Sequence, residues 1–415
     1  MSFLTEIFSA MNLYAAVKPS RSLFDKHQST IERAIEAVHK REYYALYPEM
    51  PSPQVYGETA EADQKKIFEG QMGSKFERLK QTRDSWLISD EESPYTRKKL
   101  GITYPCFTDV NKYIVASQAA WTDWRRTDAH TRAGILLESL DRLKGAFHEV
   151  ACSTMHTTGQ SYMMSFQASG PHACDRALEA IALGYQELTR FPEKLVWEKP
   201  AGKVNLKLEK FFTTVPKGLS LAIGCATFPI WNTVPGLYAG LITGNAVIVK
   251  PHPKAVYPIA IVVAAIQDVL VENGFNPDIV MLAPDTESKP ITKELAENCA
   301  VKIIDFTGGS AFGEYVESLP GKVTFTEMAG VNSIIIDSVA DIGAMAQNVA
   351  FSLSLYSGQM CTAPQNFYIP KGGVKVGDQT VSFEEVEKAI VDAVKGLAGH
   401  PKAGPAVLGA IQSEA

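Results

Sequence analysis

The side chain with the most chemical promise in this 415-residue chain is the thiol of Cys361, in the segment SLYSGQMCTAPQN. It follows a stretch of helical spacing, Ile342 to Leu355, and a glycine, which predicts a loop position. Loops on a rigid scaffold carry reactive groups more often than core elements do. A solitary cysteine is commonly a small buried hydrophobe, so the thiol alone decides little. Its partner changes the reading. Glu327 ends the β-rich run KVTFTE, thirty-four residues before Cys361, and the Met-Ala-Gly that follows leaves the carboxylate at a strand's carboxyl end. By itself it reads more simply as a solvated strand-end acid. Together the two make the pairing that matters: a sulfur that could act as a nucleophile and a carboxylate that could act as a base.

Two further features stand at the ends of apolar runs. Lys250 closes the run NAVIVK, and a lysine at the end of an apolar strand is poorly explained by packing, because lysine is almost never buried unpaired. The turn FTGGSAFG, with Phe306, Gly308, Gly309 and Gly313, follows the run VKIIDF and precedes a helix whose N-terminus could face a pyrophosphate.

The elements that must position these groups are legible as a pattern. Between Gly218 and Pro370, the runs GLSLAIG, NAVIVKP, DIVMLAP, VKIIDF, KVTFTE and SIIID alternate with helical segments. Apolar strands joined by crossover helices require a parallel sheet covered on both faces, so the expected fold class is α/β, doubly wound, with ligands beyond the carboxyl ends of the strands. Upstream, Ile135, Leu136, Leu140, Leu143 and Phe147 recur at helical spacing, and a second long helix is expected at roughly Ala173 to Leu188. The first hundred residues show one amphipathic stretch, Ser29 to Glu42, and a polar linker, Ser89 to Pro94. The expected division is residues 1–105 as a mostly helical extension without visible chemistry, 106–325 as a dinucleotide-binding domain with leading helices, and 326–415 as a catalytic domain. The pattern after Cys361 has too few elements to close a second layer, so that domain is expected to be incomplete.

Composition excludes several classes. A net charge of -6, without a long basic run, speaks against nucleic acid and anionic membrane partners. The most apolar stretch, Ile259 to Val271, is interrupted by Gln267 and Asp268 and is too short to span a bilayer. Six cysteines without a CxxC pair form no disulfide framework and fit a reducing cytoplasm. The cysteines and eight histidines show no metal-ligand spacing, so no metal is expected. The segment MSFLTEIFSAMNLYAAVKPSR lacks the features of a secretory signal, which also favours the cytoplasm. Trp121 and Trp124 read as packing, whereas Phe228 and Trp231 are close enough in sequence to the site segments to line a substrate tunnel.

From about Trp121 onward, five motifs in order make the chain similar to the aldehyde dehydrogenase superfamily: GCATFPIWN, TGNAVIVKP, FTGGSAFG, TEMAGVNS and SGQMCTAPQN. They resemble, in turn, its oxyanion segment, cofactor-lysine strand, nucleotide-binding turn, glutamate motif and nucleophile loop. Within the superfamily, GCATFPIWNTVPG and IVKPHP are most similar to the phenylacetic acid degradation (PaaN) branch. The resemblance implies that Cys361 attacks an aldehyde, that hydride leaves for NAD(P), and that water activated by Glu327 hydrolyses the thioester. It also implies that Lys250 meets the adenosine ribose. The substrate it suggests is an aldehyde, with a CoA-linked semialdehyde of aromatic catabolism as the finer expectation. Family members extend further and pair a strand with a neighbouring subunit, so a homo-oligomer is expected of a longer chain.

Two positions depart from the family pattern. Thr227 stands where the oxyanion asparagine is usual; Asn232, five residues on, could substitute only if the backbone turns differently, and the Thr227 hydroxyl with the Cys361 backbone N–H is the simpler arrangement. Pro253 stands where NAD-preferring relatives often carry a glutamate; its absence admits a 2′-phosphate, and His252 could add a donor, so NADP is expected ahead of NAD. Two alternatives stand beside hydrolytic oxidation. One passes the thioester to coenzyme A, against which Glu327 argues. The other is a non-catalytic aldehyde dehydrogenase-like binding protein.

Overall fold

The computed structural model describes residues 22–412. The N-terminal segment read above for a secretory signal lies outside them. Helices α1 (Ser22–Lys40), α2 (Pro53–Tyr56) and α3 (Ala60–Gln71) precede strands β1 (Ser85–Ile88) and β2 (Thr103–Cys106). There follow α4 (Val110–Trp124), α5 (Ala129–Lys144), α6 (Phe147–Thr158), α7 (Tyr162–Ser169) and α8 (Pro171–Leu188), then the hairpin β3 (Lys194–Ala201) and β4 (Val204–Phe211).

The central sheet is built from β5 (Leu219–Ile223), β6 (Ala246–Lys250), β7 (Val280–Leu282), β8 (Val301–Gly308) and β9 (Val323–Met328) in the spatial order β7-β6-β5-β8-β9, all parallel. The crossover helices are α9 (Pro229–Ile242), α10 (Tyr257–Glu272), α11 (Thr292–Glu297) and α12 (Ser310–Glu317). Every residue of β5 and β6 is buried, as strands covered on both faces must be. Winding reverses at β5, whose neighbours are β6 and β8, so a crevice opens beyond the carboxyl ends of β5 and β8.

The last expected strand belongs elsewhere. Residues 332–335 form β10 (Asn332–Ile335), which pairs in parallel with β11 (Pro364–Tyr368), outside the central sheet. With α13 (Ile342–Ser354), the short strands β12 (Val374–Val376) and β13 (Gln379–Val381), and α14 (Phe383–Ala398), it encloses a small separate core around Ile336, Val349, Val374 and Val386. Helix α15 (Ala403–Val407) follows. An apolar run shows that a strand is wanted but not which sheet wants it.

The polar linker at Ser89 to Pro94 is also not one. Ser89, Glu91 and Ser93 are buried, and Glu91 is fully enclosed. Its carboxylate accepts from the backbone N–H groups of Val256 and Tyr257 at 2.7 and 2.6 Å, from Ser89 Oγ at 2.7 Å and from Tyr104 Oη at 2.8 Å. The first N–H groups of a helix have no intrahelical partner, so an acid from a distant segment caps α10. The preceding segments share the same core: Phe24, Ile31, Phe68 and Phe76 pack in one cluster with Ile135, Leu237 and Ile259.

Candidate functional site

Glu327 arrives on β9, whose pairing sets Thr307 of β8 opposite it. Cys361 arrives on the loop between α13 and β11. Before it, Tyr356, Ser357 and Gly358 take consecutive positive φ angles of 54°, 54° and 74°. Two of these residues have a Cβ, a strained arrangement that persists only when the surroundings over-determine it. Here they do: Tyr356 is fully buried and its hydroxyl donates to the Thr158 carbonyl, while Ser357 Oγ donates to the Gly409 carbonyl at 2.8 Å. Asn332, from the motif that follows Glu327, donates to the Cys361 carbonyl at 2.6 Å, and Gln365 reaches back to the Gly330 carbonyl at 2.9 Å. The nucleophile loop is therefore fastened to the strand that carries the acid.

The result is a direct contact. Cys361 Sγ lies 3.3 Å from Glu327 Oε1, and Asn232 Nδ2 donates to the other carboxylate oxygen at 2.8 Å. Partial desolvation, and then the Glu327 carboxylate that accepts its proton, push the Cys361 thiol above its ordinary value. In this arrangement the sulfur is a thiol held beside its base. Asn232 sits in the first turn of α9 and engages Glu327, so the backbone turn imagined for an oxyanion role is not needed to bring it into the site. Thr227 lines the same chamber as Cys361, with its hydroxyl 3.8 Å from Cys225 Sγ and its carbonyl held by Gln160 Nε2 at 2.7 Å.

The chamber, about 350 Å³, is lined on its far side by Thr307, Gly308, Gly309 and Met328. Gly309 caps α12 and lines the chamber, and a Cβ there would meet nothing within 4 Å. Gly308 and Gly313 are required by packing: a Cβ would stand 2.7 Å from Phe306 Cζ in the first case and 2.4 Å from Met328 Sδ in the second. The Phe306 ring, expected among cofactor contacts, is buried and packs on Phe312. It is committed to the underside of the turn because alternation along β8 sends it away from the Glu327 face.

Lys250, His252 and Pro253 lie apart from this pair, at the end of β6. Lys250 is buried and has a counter-ion that the sequence reading missed: Asp285, also buried, with Oδ1 at 2.7 Å from the ammonium. Asp285 follows the end of β7 by three residues, the same strand-end signal that singled out Glu327. His252 is kept neutral, its pKa pushed down to about 4 by burial and then by Lys250 and Lys254.

On the other side of Cys361 a second cavity, about 450 Å³, is walled by Met163, Met164, Phe228, Trp231, Phe351 and Leu355. Phe228 and Trp231 thus line a tunnel, as their sequence positions suggested. No lysine or arginine lines it among the described residues.

A thiol and carboxylate in contact, at the carboxyl edge of a doubly wound sheet and beside a glycine turn that opens a helix, place covalent thiol chemistry where such sheets hold their ligands. The chain is a member of the aldehyde dehydrogenase family, whose profile matches residues 88–415. It is 24% identical over 313 residues to a 1-pyrroline-5-carboxylate dehydrogenase of Bacillus subtilis, covering 73% of this chain and 56% of that relative. The chain thus spans little more than half the length of that curated relative. Among solved structures, an NAD-dependent aldehyde dehydrogenase from Burkholderia multivorans is 46% identical, with a TM-score of 0.91, covering 96% of this chain and 71% of that one. A Thermus 1-pyrroline-5-carboxylate dehydrogenase with bound NAD, 18% identical with a TM-score of 0.68, covers 90% and 70% and shows the shared fold.

Proposed function

We propose that this chain carries the catalytic pair of an NAD-dependent aldehyde dehydrogenase that oxidises an apolar aldehyde to its acid. The observation carrying the reading is the 3.3 Å contact between Cys361 and Glu327. Glu327 takes the thiol proton, the sulfur attacks the aldehyde carbon arriving from the apolar tunnel, and Asn232 keeps the carboxylate aimed. The bound nicotinamide supplies the hydride acceptor. A Cys361 thioester remains, and Glu327 activates the water that releases the acid. The start of α12 and the Gly308–Gly309 turn fit a pyrophosphate, and the buried Lys250 fits the ribose position that the family resemblance gives it.

Charge around Lys250 supports NAD, reversing the expectation drawn from Pro253. Lys250 is neutralised by Asp285 at 2.7 Å, Lys254 faces Glu287 at 3.1 Å, and His252 is uncharged at pH 7. A 2′-phosphate there would meet carboxylates that already face both of these lysines. The carboxylate missing at Pro253 is supplied from the end of a different strand.

The tunnel supports an aromatic or long aliphatic substrate. A small carboxylated aldehyde would need a cationic anchor, and the candidate among the described lining residues, His172, already faces Glu49 at 2.7 Å. An aldehyde of phenylacetate catabolism fits that lining; the substrate named for the Bacillus relative, 1-pyrroline-5-carboxylate, is a carboxylate and fits it less well. The test is NADH formation with a panel of aromatic, aliphatic and carboxylated aldehydes, beside a Cys361→Ala control. Preference for carboxylated substrates would sink the substrate reading, and turnover independent of Cys361 would sink the mechanism.

A further inference from the structure

The left-handed stretch ahead of Cys361 is followed by Gln359, whose amide is engaged at both of its atoms. Nε2 donates to the Tyr356 carbonyl at 3.2 Å and to the Ala410 carbonyl at 2.9 Å, while Oε1 accepts the Gln412 backbone N–H at 3.1 Å. Gln359 thus binds the nucleophile loop to the segment that follows α15. That segment is itself fixed. The Ala410 N–H donates to the Gly159 carbonyl at 2.7 Å, and the Gly409 N–H donates to Ser357 Oγ at 3.1 Å. A Cβ on Gly409 would stand 2.5 Å from both the Gly159 oxygen and the Tyr356 ring, so glycine alone lets the segment pass between the loop and the end of α6.

Gln412 carries the connection onward to the other half of the site. Its side-chain Nε2 donates to the Thr157 carbonyl at 2.9 Å and to the Ala226 carbonyl at 3.2 Å. Ala226 stands between Cys225 and Thr227, which both line the nucleophile chamber, in the segment that leads from β5 into α9 and Asn232. One residue therefore ties three pieces together: the Cys361 loop through its backbone N–H, and the last turn of α6 and the Ala226 segment through its side chain. Asn332 fixes the nucleophile loop on the side of the strand that carries Glu327, through the Cys361 carbonyl. Gln412 fixes it on the side of the segment that carries Asn232, the residue that holds the Glu327 carboxylate at 2.8 Å.

We infer that Gln412 is a positioning residue for Cys361: by bridging Gln359 and the Ala226 carbonyl it holds the nucleophile loop where sulfur and carboxylate touch. This rests on the reading of Cys361 and Glu327 as the catalytic pair. The two arrive from separate units, Glu327 on the central sheet and Cys361 on a loop joined to the small core of α13 and β11, so their contact depends on ties across the boundary. The loop also has somewhere to go when a tie is cut. Tyr356 and Ser357 take left-handed angles that residues with a Cβ keep only while their surroundings hold them, and relaxing those angles swings the chain just ahead of Cys361. Gln412 is only half-buried, so replacing it removes the tie and leaves the cores untouched.

The test uses Gln412→Met, which keeps the length of the side chain and removes its donors, and Gln359→Met, which cuts the same tie at its other end. Iodoacetamide alkylation of Cys361 is followed across pH by mass spectrometry of its peptide, with and without Glu327→Gln. With sulfur and carboxylate in contact, Glu327→Gln lowers the midpoint in the wild-type background. Gln412→Met should lower it by itself and cut the further shift from Glu327→Gln to about half or less, which a role in folding alone would not do. Turnover of an aromatic aldehyde with NAD should fall about tenfold or more in kcat with KM little changed. Gln359→Met should give both results, and the two substitutions together should lose no more than the larger alone. A full Glu327→Gln shift retained in both Met variants, or wild-type kcat in both, overturns the proposal and leaves the catalytic pair standing. A wild-type midpoint that ignores Glu327→Gln removes the reading of the pair, and the proposal with it.

Discussion

Cys361 Sγ and Glu327 Oε1 stand 3.3 Å apart, thirty-four residues apart in sequence, with the carboxylate's second oxygen held by Asn232. Two consequences follow from that contact. The carboxylate can take the thiol's proton, and while it remains charged it disfavours a second negative charge beside it.

The alkylation of Cys361 by iodoacetamide should therefore move with Glu327. The thiol is pushed up by partial desolvation and then by the carboxylate, so removing the charge in Glu327→Gln should shift the reactivity midpoint to lower pH. Asn232→Ala, which frees the carboxylate, should broaden the profile. A midpoint that rises in Glu327→Gln would mean that the carboxylate favours the thiolate at equilibrium.

Cofactor choice should follow Asp285. Binding measured by calorimetry should favour NAD over NADP in the wild type. Asp285→Asn should narrow that gap by about tenfold, because the neutral amide no longer repels a 2′-phosphate and leaves Lys250 uncompensated. Equal affinities in the wild type would return weight to Pro253 and His252.

Glu91 should be a large contributor to stability for a side chain so far from the chemistry. Glu91→Ala leaves the N–H groups of Val256 and Tyr257 and the Tyr104 hydroxyl without their partner in a dry site, at a cost of about 3 kcal/mol or more. Urea denaturation checks this; a change below about 1 kcal/mol would mean that water replaces the carboxylate.

The hairpin β3–β4 should be a self-association surface. Leu195, Trp197, Val204, Leu206 and Leu208 lie on one of its faces, all exposed, while Lys194–Glu209 and Lys207–Glu198 pairs occupy the other. An isolated two-stranded hairpin is marginal in water, so a partner covering the apolar face would stabilise it. Light scattering after gel filtration should show an oligomer for the wild type and a smaller species for Trp197→Ser with Leu206→Ser. An unchanged mass would exclude this face.

Much of the site was legible because strand ends and glycine turns leave local signatures. Glu327, Cys361 and the Gly308–Gly309 turn occupy the places their motifs gave them, and the order of strands before β9 follows from their apolar runs. What escaped was set by tertiary pairing. Glu91 looked like linker because its partners are N–H groups far away in sequence, Val256 lying 165 residues on. Asp285 carried the same strand-end signal as Glu327 but lacked a motif to draw attention to it. Asp305 was visible in VKIIDF, yet only the close approach of Gly236 shows what its carboxylate faces. β10 was assigned to the wrong sheet because an apolar run specifies burial and not a neighbour.

The most direct test of the central claim is intact-mass spectrometry of Glu327→Gln after mixing with NAD and an aromatic aldehyde. The account predicts one equivalent of NADH and an acyl group trapped on Cys361, with both lost in Glu327→Gln combined with Cys361→Ala. Glu327→Gln turning over at the wild-type rate, or an acyl group on any other residue, would contradict it.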